Sequence, residues 1–437
     1  MKKIIYLICT AFFSLIILLC GYFWYQKKQS QNILVYNETK TLIKLDTYRL
    51  VKKFISNQRY LPDSLTNVNS LIGTVDIPAD IFLFTVDGKK ETTIFGSLNI
   101  KDYKLFHKYV TTHLDLENDK DLSSLYSSKD RKWKLLYNKN TVVFAYSATK
   151  EKVSDILKEL ILKKNTVKIK ESPFKNILNK KGEIVFYNLS SEGSIHWKDS
   201  AIKGEIKINS HKFSVSKPIK APVFSKDNFV SLWLNADISS YASHKSFKIG
   251  EYRLNTDSIL PYFKNEVQVE IKEPVQQKEQ QISYEYDDNF EKVEVIKEKI
   301  NFVPGFNVKI KSDAYGLKTY LTHENILLKN GEISREFFPL FKIEAQSEPD
   351  YLVLSTVNNA VFAPKISSDV IFYMKVNFDK MRTQKEFSDY KAYMKNLKRL
   401  EIITHYMKEN KLLVNFSIES ENNDVFFLIS WLSLISK

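Results

Sequence analysis

The chain has 437 residues, 43% hydrophobic and 27% charged, with a net charge of +14. That length allows two or three domains, and the composition is that of a globular rather than an intrinsically disordered chain. Only two cysteines occur, Cys9 and Cys20, so the chain beyond residue 28 has no disulfide, no thiol nucleophile and no cysteine-ligated metal.

Residues 4–25 read IIYLICTAFFSLIILLCGYFWY without a charge. As a helix this run would extend roughly 33 Å, enough to cross a hydrocarbon layer of about 30 Å. Tyr22, Trp24 and Tyr25 stand at one end, where aromatic rings favour the interface. Lys2 and Lys3 precede the run, Lys27 and Lys28 follow it, and the α-amino group tips the front toward the cytoplasm. The expectation is a single-pass anchor over residues 4–25 that holds the bulk of the chain on the extracytoplasmic side of a bacterial envelope. Two alternatives stay open. Leu18-Leu19-Cys20-Gly21 approximates a lipobox with Cys20 as the lipidated residue, although Leu19 stands where a small residue belongs. A cleaved signal is the other, against which the length of the run counts.

The first half then gives a strand at 41–45, a helix from Asp46 or Thr47 to Phe54, and a hairpin over 80–96 turning at Asp87-Gly88. A helix capped by Asn99 is expected to run to Leu114, followed by a polar loop over 115–130. A second hairpin, 133–137 and 141–147, turns at Asn138-Lys139-Asn140. A helix over 150–162 carries Val153, Ile156, Leu157, Leu160 and Ile161 on one side. Ser172-Pro173-Phe174 opens a short helix, with strands over 183–189, 201–208 and 211–215 behind it.

The second half repeats this order. A strand at 230–234 is followed by strands at 267–271 and 294–300 around a long polar insertion near 272–293, which contains the glutamines of 276–281 and YEYDDNFE at 284–291. A strand at 304–311, a helix over 314–328, a hairpin at 341–345 and 351–356, strands at 369–376, 398–405 and 411–419, and a helix over 425–435 complete it. The expected architecture is α+β: an N-terminal transmembrane helix (residues 1–28 as anchor), then two similar units, 29–226 and 227–437, each an antiparallel sheet with helices packed on one face.

The combination resembles bacterial envelope families of unknown function in which an anchor or lipid precedes two repeated α+β halves. The matching pieces are Ser172-Pro173-Phe174, the tract YEYDDNF at 284–290 and the closing strand-plus-helix at 411–435. The resemblance implies a fold and a location, and carries over no catalytic residue.

No local catalytic motif is present: no HExxH, GxSxG, Gly-rich phosphate loop or GxGxxG. His107, His113, His196, His211, His244, His323 and His405 show no ligand spacing, and no cofactor or metal is expected. Asp287, Asp288 and Glu291 form the densest acidic cluster but lack the pattern of an EF-hand loop. The lysines are dispersed, so the positive charge points to a solvated surface rather than to nucleic acid. The expected role is a membrane-anchored, non-enzymatic binding or scaffold ectodomain that meets a protein, lipid or glycan. The alternatives are an envelope hydrolase with a dispersed site and a carrier of lipid or another apolar ligand.

Overall fold

The structure is a computed structural model that describes residues 25, 27–56, 73–114, 116–118, 125–198, 200–209, 215, 219–286, 290–358, 360–408 and 410–421. Strands take up 50% of it and helices 20%. No described helix exceeds ten residues, and none is long and apolar enough to cross a membrane. The expected α+β class with a leading transmembrane helix is therefore corrected to a predominantly β chain. The abundance of Phe and Tyr, 29 and 24 residues, favours strands over helices. Residues 4–24 of the expected anchor, and the expected helix over 425–435, lie outside the described residues.

The described residues divide into two compact units, one holding residues up to 198 together with 204–206, the other holding 200–203 and 207–421. In the first unit β1 (Thr39–Asp46) leads directly into α1 (Thr47–Ser56). Asp46 ends the strand and its Oδ1 accepts the Arg49 N–H at 2.9 Å, which satisfies an otherwise open donor of the first helical turn. β2 (Asp80–Val86) and β3 (Thr93–Ile100) form the expected hairpin, and α2 (Tyr103–Thr112) follows. The helix cap is Asp102, whose carboxylate accepts from Leu105 N–H, and Asn99 lies inside β3 instead. β4 (Trp133–Tyr137), β5 (Thr141–Ser147), α3 (Ser154–Ile161), β6 (Ile184–Asn188) and β7 (Ser191–Lys198) complete the main elements. The strands lie in the order β7–β6–β1–β2–β3–β5–β4, all antiparallel.

Helices cover both faces here, not one. Val143, Ala145 and Leu136 face Leu157 and Leu160 of α3, whereas their neighbours Val142 and Tyr137 face Phe106 and Val110 of α2. Successive strand residues point to opposite faces, so a run such as Val142-Val143 is apolar on both and needs a cover on each. Gly96 on β3 is required by this packing. A Cβ there would collide with the Phe144 ring.

The strands of the second unit depart from chain order in their pairing. Its main strands are β8 (Val230–Asn235), β9 (Phe263–Tyr286), β10 (Lys292–Ser312), β11 (Glu344–Glu348), β12 (Tyr351–Ser355), β13 (Val370–Asn377), β14 (Leu397–Tyr406) and β15 (Lys411–Ser420), with α4 (Ala314–His323) between β10 and β11. The order is β15–β14–β13–β8–β9–β10–β12–β11, again antiparallel throughout. α4 is capped by Asp313 and buries Leu317 against Ile326, Leu327, Ile343 and Leu352.

Candidate binding surface

The stretch expected as a polar insertion is a ladder of two long strands. β9 and β10 pair from Phe263↔Ser312 out to Tyr286↔Lys292. Flanking strands accompany only their inner ends: β8 pairs with β9 over 266–271, and β12 with β10 over 307–311. Beyond Val275↔Val303 no other described strand joins them, so residues 275–303 form a two-stranded arm. At about 3.3 Å per residue, the 12 residues from 275 to 286 give it a length of roughly 40 Å.

The joint between sheet and arm is written in the sequence. The register shifts between Lys272 and Val275, where Pro274 offers no N–H to continue a ladder toward β8. Opposite the shift, Gly305 lets the strands close: a Cβ there would stand 2.7 Å from the Glu273 carbonyl oxygen. One face of the arm is braced at its base. The Gln277 amide donates to the carbonyls of Lys342 (2.8 Å) and Thr356 (3.1 Å) and is buried, as is Val303. Glu279 on the same face accepts from Asn301 at 2.8 Å and pairs with Arg335.

The opposite face has no such brace among the described residues, and six of its twelve positions carry large apolar side chains. Ile282, Tyr284 and Tyr286 alternate along β9, and Ile296, Ile300 and Phe302 along β10, with Ile282 directly across from Ile296. These six side chains are between 53% and 72% exposed. The charges among them are already engaged: Lys278 pairs with Glu298 at 3.2 Å, the Tyr284 hydroxyl donates to Glu294 at 3.2 Å, and the Lys292 ammonium stands 4.1 Å over the Tyr284 ring. Phe290, at the tip, is exposed as well. Sequence reasoning found the strand at 294–300 but missed its partner and hence this surface, because the glutamines and glutamates of 276–285 suggest a loop. The signal that could have found it is the period-two spacing of Ile282, Tyr284 and Tyr286 facing that of Ile296, Ile300 and Phe302.

The residues weighed for chemistry do not converge. His107 lies 2.7 Å from the Tyr137 hydroxyl, in a cluster with Tyr103, Phe106 and Tyr126. Burial, reinforced by Tyr126, holds the Tyr137 phenol well above its ordinary range. His113 contacts Thr112, His196 lies 3.6 Å from Glu183, His244 3.1 Å from Asp257, His323 3.3 Å from Glu324 and His405 3.1 Å from Asp369. Among the described residues no histidine contacts a serine hydroxyl, and no three His, Cys, Asp or Glu side chains form a metal-sized group. His211, Asp287 and Asp288 lie outside the described residues; Glu291 is exposed near the arm's tip.

Two buried polar clusters are structural in geometry. In the first unit Lys44 and Asp80 are both buried, and the Lys44 ammonium donates to the Lys180 carbonyl. Burial pushes the Lys44 ammonium down and the Asp80 carboxyl up, and each charge opposes the other's shift. A cavity of about 200 Å³ in the same unit is lined by Gln29, Asp76, Asn99 and Lys163, among others, and not by this pair. In the second unit Ser231, Glu270, Asn307 and Ser355 form one buried row across four strands. Glu270 is held there by Gln268 (2.7 Å) and Lys272 (2.6 Å).

No family model matches the chain, and no curated protein does. Among solved structures, crystal form I of TP0453 is similar at a TM-score of 0.27 with 8% identity, over 41% of this chain and 78% of that one. Crystal form III of TP0453 is similar at 0.24 with 10% identity, over 75% of this chain and 90% of that one.

Proposed function

We propose that this is a non-enzymatic binding or scaffold protein of a bacterial envelope, attached to the membrane through the apolar run at residues 4–25, that engages a protein partner through the β9–β10 arm. One observation carries the reading: six large apolar side chains lie on one exposed face of an arm, and the charges of that face are already engaged within it. Isolated two-stranded ribbons are marginal in water. An exposed apolar face of this kind marks a contact surface.

The test is site-specific photocrosslinking of the full chain in its native membrane. A photoreactive phenylalanine replaces Tyr284 on the arm or, as a control, Tyr315, which is exposed on α4. A discrete crosslinked product from position 284 and none from 315 is the expected result. Equal yields at both positions, or none at either, remove the arm as a docking surface.

A second reading, a carrier of an apolar ligand, is favoured by a different face. Leu232 and Leu234 on β8, Phe372 and Met374 on β13, and Ile402 and Phe416 on β14 and β15 share one face of the second unit's sheet and are only half-buried. Binding of a fluorescent fatty acid that is lost in Met374→Lys would support it.

A further inference from the structure

Resting on the docking role of the arm, we infer that its partner is a second copy of this chain, with two arms stacked face to face, side by side and pointing the same way, about a two-fold axis along their length. Three observations lead there. The first is area. Six aromatic or branched side chains, each more than half exposed, would bury roughly 100–180 Å² apiece. Together they approach the about 800 Å² per partner typical of a specific interface.

The second is the distribution of charge over the cross-strand rows. On the apolar face the rows are Gln276/Phe302, Lys278/Ile300, Gln280/Glu298, Ile282/Ile296, Tyr284/Glu294 and Tyr286/Lys292. No row holds more than one charge. A two-fold axis along the arm sets each residue against the cross-strand mate of its own row in the other copy, as an isologous interface requires. Ile282 then meets Ile296, the Lys278 stem lies on Ile300, the Tyr284 hydroxyl faces Glu294, and Lys292 faces the Tyr286 ring, a cation–π geometry. No two like charges face each other.

The third is that the other two-fold stacking fails this criterion when it is centred on the same Ile282/Ile296 row. An axis across the arms at that row would run them in opposite directions and set Glu298 against Glu294. Like charges directly opposed are destabilising. The face is also neutral, with Lys278 and Lys292 balanced by Glu294 and Glu298, so nothing on it calls for a highly charged partner such as nucleic acid or an anionic membrane.

Thiol chemistry tests this cleanly, since the chain beyond residue 28 contains no cysteine. In a Cys9→Ser, Cys20→Ser background, full-length Ile282→Cys and Ile296→Cys chains carrying different tags are co-expressed and oxidised in the membrane. The expected product is a mixed 282–296 disulfide dimer at least tenfold above the yield from Ser283→Cys, which lies on the other face. The untreated chain is expected to sediment as a dimer, and Ile282→Glu/Ile296→Glu as a monomer with an unchanged circular dichroism spectrum. A monomeric wild-type chain with no mixed disulfide overturns the proposal, as does dominance of the 282–282 product. If position 284 nonetheless crosslinks to a different polypeptide, the two-copy interface is wrong while the docking role survives. If it captures nothing, both fall.

Discussion

Tyr36 shows how one side-chain pair ties distant parts of the first unit and leaves a readable pH signature. Its hydroxyl donates to Glu159 Oε2 on α3 at 2.6 Å, and Asn165 donates to the same oxygen at 2.9 Å. The bond to Glu159 pushes the Tyr36 phenol from 10.0 up to about 12, and the same bond, with that from Asn165, holds the Glu159 carboxyl below its ordinary 4.5. The signs follow from linkage. A depressed carboxyl contributes stability that is present above its unfolded value and fades as the pH drops below 4.5. A raised phenol contributes stability that is complete below 10.0 and fades toward about 12. The stability difference between the wild-type chain and Tyr36→Phe should therefore be flat from about pH 5 to about pH 9.5 and shrink on both sides. Urea midpoints across that range measure it, and a difference undiminished at acid pH would mean that the bond does not form.

At the scale of elements, caps and turns decide boundaries, and they also decide what the sequence could reveal. Asp102→Ala removes the acceptor for the Leu105 N–H at the start of α2 and should cost about 1 kcal/mol in a denaturant titration. Asn99→Ala should cost less, because Asn99 pairs in β3 and caps nothing. An equal loss at both positions would refute this cap assignment. The β4–β5 hairpin was legible because Asn138 marks its turn: Asn138 Oδ1 accepts from the N–H groups of Asn140 and Thr141 at 2.9 Å. The strands Leu116–Asn118 and Leu125–Ser128 were hidden in what the sequence presents as a polar loop, since LEN and LYSS carry no run of apolar residues. The β9 side of the arm was hidden for a related reason, although the strand at 294–300 was legible. A ribbon solvated on both faces has no core to impose strict apolar alternation, so Gln276 to Gln281 looks like a loop by composition and still pairs residue for residue. Placing helices on one face failed where strands such as β5 are apolar on both sides.

At the scale of the whole molecule, the question is whether the arm belongs to the folded framework or is carried by it. The brace ends near Glu279 and Asn301, and outward of Gln280↔Glu298 the two strands pair with no other described strand. Excising residues 281–297 and joining Gln280 to Glu298 through Asn-Gly keeps the register, because a two-residue turn closes directly paired positions and Asn-Gly supplies the positive φ angles it demands. The shortened chain loses Ile282, Tyr284, Tyr286 and Ile296 from its surface but no residue of the four buried clusters. Its thermal unfolding should stay within about 0.5 kcal/mol of the parent, the range of changes remote from buried features. Its solubility should rise, since six large apolar side chains, Phe290 and Val293 included, leave the surface, and crosslinking through the remaining Ile300 and Phe302 should fall to background. A framework role predicts the reverse: a lower unfolding temperature and a chain prone to aggregate. The two outcomes separate an appendage built for contact from a strand pair needed to hold the second unit together.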